Sequence, residues 1–141
     1  FLSALRQRFD VTEDAAPAPP AKGHASLYLA GRWYGLAWPE PRTDDPVERL
    51  DAHVLQHRLL APVLGIDDPR TDPRIRFVGG IHGAGALERA VDQDGMAAAF
   101  SLYPVSVEDL MQVADAGRVM PPKSTWFEPK LLSGLVVHPL D

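Results

Sequence analysis

The 141-residue chain contains no cysteine, so a disulfide frame and a thiolate metal site are both excluded; this suits a reducing cytoplasm. No apolar run approaches the roughly 18 residues that a membrane-spanning helix requires, and no membrane partner is expected. Basic residues are outnumbered, 14 against 19 acidic ones, and lie scattered; a formal charge of −5 therefore argues against nucleic acid as a partner, because neutralising phosphates needs a basic face. There is no nucleophile elbow, no Cys/His pair and no paired-carboxylate pattern. With 45% hydrophobic and 23% charged residues the composition is that of an ordinary globular protein large enough to bury a core.

Leu2, Leu5 and Phe9 recur at helical spacing around Arg6 and Arg8, which predicts an amphipathic N-terminal helix with a short exit at Phe9 to Val11. The packing partner of this helix is expected upstream of Phe1, and the likeness described below implies that residues 1–13 are a linker helix from an N-terminal half. Residues 14–23 are rich in proline and alanine and predict an extended, solvated connector. The main domain is placed at 24–141.

Two β-rich runs, 25–29 and 33–38, flank Ala30-Gly31-Arg32 and predict a hairpin. Trp33, Tyr34 and Trp38 are expected to pack as a sheet face more than to form an open binding platform. Asp45-Pro46-Val47-Glu48 carries a cap, a proline and a following glutamate, and predicts a helix start whose stripe is Val47, Leu50, Val54, Leu59 and Leu60. Strands are expected at 74–78, 96–103 and 134–138, and helices at about 84–94 and from Ser106, where Asp109 completes a cap. The fold class is therefore α+β: an N-terminal helix and a β-hairpin, then alternating helices and strands forming a mixed sheet of about five strands.

Four stretches bear on chemistry. Gly79, Gly80, Gly83 and Gly85 stand between a strand pattern and a helix pattern, as in phosphate cradles, but match neither G-x-G-x-x-G nor the P-loop, and a structural turn is favoured. His53 and His57 share a helix face at metal-ligand spacing; two ligands make no site, and no metal is expected. Asp51 lies among apolar neighbours, which points either to a solvated edge or to a cationic partner such as Lys123 or Lys130. The run from Met120 to Leu135 holds two lysines, three hydroxyl residues, two large aromatics and three prolines. In it Lys123, Ser124, Thr125 and Lys130 offer charge and donors to an anion, while Trp126, Phe127 and Leu131 offer a lid on the core.

The run Met120-Pro-Pro-Lys-Ser-Thr-Trp-Phe-Glu-Pro-Lys-Leu-Leu-Ser-Gly-Leu135, preceded by Val113-Ala-Asp-Ala-Gly117, resembles the C-terminal signature of the family catalogued as domain of unknown function 1015. Phe77-Val-Gly-Gly80, Ala99-Phe100 with Pro104, and Leu50-Asp51 with His53 extend the likeness over most of residues 47–138. What the resemblance implies is a bacterial, cytoplasmic protein of which this is the C-terminal half. Members carry an Asp-Gly-His-His-Arg stretch in their first half, similar to ParB-type nucleotide-binding folds and free-serine kinases; this chain lacks it. The implied function is an anionic-ligand site, for a nucleotide or a phosphorylated small molecule. Its walls would be Lys123, Ser124, Thr125, Lys130 and Asp51 on one side and the N-terminal half on the other. Any nucleotide cofactor and any kinase-like catalysis would belong to the whole protein, and this half alone would be inactive. The alternative is an interaction or scaffolding domain, with homo-oligomers as one form.

Overall fold

The computed structural model describes residues 1–125. Helix α1 (Leu2–Arg6) leads into strand β1 (Asp10–Glu13), and β2 (His24–Leu29) and β3 (Arg32–Ala37) form the hairpin. Helix α2 (Asp51–Leu55) runs on through a π-helical turn, Gln56–Leu60, into α3 (Ala61–Leu64). A 3₁₀ turn at Gly80–His82 precedes α4 (Gly83–Asp92), followed by β4 (Ala99–Leu102) and α5 (Val107–Asp115).

The α+β class holds, but the sheet differs from the expectation of about five strands in a mixed arrangement. Among the described residues it has four strands in the order β1-β3-β2-β4, and every neighbouring pair is antiparallel. The expected strand at 74–78 does not join it. Ile75 N–H closes a turn on the Asp72 carbonyl, and Arg74 is drawn back to the Asp72 carboxylate and to the carbonyls of Leu64 and Gly65, at 2.9 and 2.8 Å. The alternation in Arg-Ile-Arg-Phe-Val is thus spent on side-chain anchors instead of a ladder. The expected strand at 134–138 lies outside the described residues. The strand that periodicity under-read is β1, which pairs along β3 from Asp10↔Ala37 to Glu13↔Tyr34.

The hairpin turn is tighter than read. Leu29 pairs with Arg32, leaving only Ala30 and Gly31 in the loop, with φ of 49° and 78°. Positive φ at both central residues is what the right-handed twist of the flanking strands demands, and Gly31 supplies it without steric cost. The helix expected from Asp45 begins instead at Asp51. Asp45 Oδ1 accepts from Val47 N–H and makes a turn, and Leu50 is extended (φ −75°, ψ 137°) before the helix starts.

Ala25, Leu27, Tyr34 and Leu36 point to one face of the sheet and form the main core with Leu5, Phe9, Val54, Leu55 and Leu59 from the helices. Phe9 meets Trp38 edge-on at 5.6 Å. The opposite face is covered by α4, where Asp92 and Glu88 accept from Tyr28 Oη and Trp33 Nε1, both at 2.9 Å, and by the proline-rich stretch. That stretch is tied down: Ser26 Oγ donates to the Ala16 carbonyl at 2.8 Å and Ala15 N–H to the Trp33 carbonyl. The aromatics of the hairpin therefore serve packing, as expected.

A second, smaller cluster joins Val47, Leu50 and Val113, with Met120 packed against it. It fastens α5 and the start of the 120–125 segment beside the first turn of α2. No helix among the described residues is long and apolar enough to cross a membrane.

Candidate functional site

Asp51 is the first residue of α2 and keeps only 9% of its surface exposed. It is held there by an exchange of backbone bonds centred on Gly23. Gly23 N–H donates to Asp51 Oδ1 at 3.0 Å, and the Gly23 carbonyl accepts from Trp38 N–H at 3.0 Å. One residue thus ties the end of β3 to the start of α2. Gly23 has φ of 81°, and a Cβ there would lie 3.2 Å from the Trp38 carbonyl oxygen, so position and residue type go together.

The second carboxylate oxygen, Oδ2, has no protein donor among the described residues. Asp51 lines a cleft of about 150 Å³ together with Lys22, Gly23, Trp38, Glu40 and Arg49. Burial raises the Asp51 pKa above the usual aspartate value; the Gly23 bond and the Lys22 charge oppose that rise, and the Asp109 charge adds to it. Burial also pushes Asp109 upward, but hydrogen bonds from Lys22 and Ser106 outweigh it and hold that carboxyl below its usual value. Lys22 Nζ reaches Asp109 at 2.5 Å, and Asp109 also closes the capping box of α5 with Ser106. Two carboxylates at one corner are therefore driven in opposite directions, one by a cation and a cap, the other by desolvation.

Among the described residues Arg49 reaches only a neutral partner, the Gln112 amide oxygen, at 3.1 Å. Arg118 pairs with Asp45 at 2.9 Å.

The sequence-predicted site residues are only partly assembled here. The start of the predicted loop comes near Asp51 only through Met120, which packs against the cluster of Val47, Leu50 and Val113. Ser124 Oγ donates to the Pro121 carbonyl at 2.7 Å and holds a turn in which Lys123 has φ of 57°. Lys123 and Thr125 are exposed, and no bond joins either to Asp51. Lys130 lies outside the described residues, as do Trp126, Phe127 and Leu131 of the predicted lid. The cation near Asp51 is Lys22, from the proline-rich stretch. Sequence reading also passed over Gly23, Glu40 and Arg49; the one signal was a Lys-Gly pair at the end of that stretch, where a glycine ends the run of prolines.

His53 and His57 do share a helix face, with ring centroids 4.0 Å apart and planes tilted by 33°. Burial, and then the neighbouring His57, lower the His53 pKa. Among the described residues no group of three or more metal-ligating side chains surrounds them. Searches of family models, curated proteins and solved structures find no match to this chain.

Proposed function

We propose that the Asp51 corner is one wall of a binding site for a small, polar molecule that carries an anionic group, and that the chain is a ligand-binding module. What supports the reading above all is the state of Asp51: a desolvated carboxylate with one oxygen fixed by Gly23 and the other unpaired among the described residues, in a cleft that also presents Lys22 and Arg49. A carboxylate taken out of water without a cation in contact costs stability, and such costs are retained where a ligand repays them.

Lys22 and Arg49 attract the anionic end of the ligand, and Asp51 Oδ2 accepts from a hydroxyl or ammonium on it. On this reading Lys123, Ser124 and Thr125, which follow the packed Met120, add one charge and two hydroxyls to the ligand's surroundings. A second half-site, the N-terminal half expected from the sequence, completes it on this view. Calorimetric titration of the chain with ADP, ATP and glycerol 3-phosphate, alone and as Lys22→Ala and Lys123→Ala, tests the reading. Saturable binding weakened by either change supports it; affinities equal to wild type in both variants remove these lysines from the site.

A second reading has one observation in its favour. Val107 and Met111, one turn apart on α5, are 68% and 58% exposed, an apolar outer face suited to a protein contact. Light scattering of Met111→Lys distinguishes it: a fall in assembly size with ligand binding intact favours an interaction module.

A further inference from the structure

We infer that the cleft beside Asp51 takes a small zwitterion, a molecule of amino-acid size with an ammonium and a carboxylate a few bonds apart. This rests on the reading of the corner as a ligand site and narrows the ligand. The inference comes from which charges at the corner are already answered. Lys22 is answered by Asp109. Asp51 has only the neutral Gly23 N–H, and Arg49 only the neutral Gln112 oxygen. Both line the same cleft, and neither has an ion-pair partner among the described residues.

A lone anion would settle against Arg49 but meet the carboxylates of Asp51 and Glu40. A lone cation would meet Arg49 and Lys22. A ligand with both charges answers the two open groups together, with its ammonium on Asp51 Oδ2 and its carboxylate on the Arg49 guanidinium, which suits planar two-oxygen groups. Trp38 supplies a fixed wall: it is 6% exposed, held edge-on by Phe9, and its indole N–H has no acceptor among the described residues.

Size decides between a zwitterion and a nucleotide within this cleft. A volume of about 150 Å³ is roughly half the 300 Å³ at the low end of sites for larger ligands. A molecule of a few heavy atoms fills it.

The test is titration of the full chain, followed by amide NMR shifts, with glycine and β-alanine as zwitterions, acetate and inorganic phosphate as anions, and ethylamine as the cation. The expected result is saturable binding of a zwitterion at least tenfold tighter than of acetate or ethylamine, and a tenfold or greater loss in Asp51→Asn and in Arg49→Gln. Asn at 51 keeps an oxygen for Gly23 N–H, so the fold at that position is preserved. Phosphate or acetate binding as tightly as the zwitterions, unaffected by Asp51→Asn, overturns this inference and leaves the anion-site reading standing. No binding by any probe to folded protein overturns both.

Discussion

Asp51 sets up a test in which two substitutions of one residue differ in their effect on stability. Replacing it with Asn keeps a side-chain oxygen for Gly23 N–H while removing a carboxylate whose largest perturbation is its burial. Replacing it with Ala removes the acceptor and leaves Gly23 N–H unpaired in a part-buried position. The sign for Asn follows from linkage. The folded-state pKa lies above the unfolded value, so the folded protein holds more protons between the two, and stability falls as pH rises through that interval. At neutral pH the full penalty is present, and Asn, a neutral mimic, escapes it. The weaker hydrogen bond to a neutral acceptor offsets part of that gain. Asp51→Asn is therefore expected to match or exceed wild type at pH 7. Asp51→Ala is expected to fall about 1 to 3 kcal/mol below Asn. Urea melts of the three proteins from pH 4 to 8 decide it, with the gap between Asn and wild type closing at the acid end. An Asn variant clearly less stable than wild type at pH 7 refutes the reasoning, because the carboxylate would then be stabilised by its surroundings.

Three further outcomes are expected. Gly23→Ala forces a side chain into the left-handed region and against the Trp38 carbonyl; it should cost at least about 1 to 2 kcal/mol in denaturant melts, and more than Gly31→Ala, where no atom crowds the site. The lowered His53 pKa means that its contribution is present above the unfolded value of 6.5 and is lost as pH falls through the folded value, so thermal stability should decline in mildly acidic solution and His53→Asn should flatten that decline. Arg74→Ala releases the carbonyls of Leu64 and Gly65 at the end of α3 and should cost about 1 kcal/mol, with faster amide exchange at Gly65 and Ile66.

Features decided by neighbours in the chain were legible in advance. The Ser106 and Asp109 cap forms as read, because three residues of spacing suffice to place a hydroxyl on one backbone N–H and a carboxylate on the other. The hairpin at Ala30-Gly31 is equally local. Features decided across the chain were not legible. The place of β1 beside β3 depends on a pairing from residue 10 to residue 37, which no local pattern encodes. Arg74 to Val78 has a strand's alternation, yet its arginines find acceptors in the preceding turns and across to Asp94. At the candidate site, an aspartate among apolar neighbours stood out in the sequence, but its surroundings come from far away. Lys22 and Asp109 meet across 87 residues, and Gly23 reaches Asp51 across 28. Sequence spacing offered Lys123 as the partner because it lies in a charged loop, whereas among the described residues of that loop it is Met120 that packs against the cluster of Val47, Leu50 and Val113.

The central claim is that Asp51 Oδ2 faces a ligand, and Gly23 is its nearest reporter, since its N–H is bonded to the other oxygen of the same carboxylate. The direct measurement is the amide NMR signal of Gly23 during titration with a ligand that binds the chain. The account predicts a saturable shift at Gly23, with the same midpoint as the binding heat, abolished in Asp51→Asn. A ligand that binds with full heat while the Gly23 signal stays unmoved would contradict it.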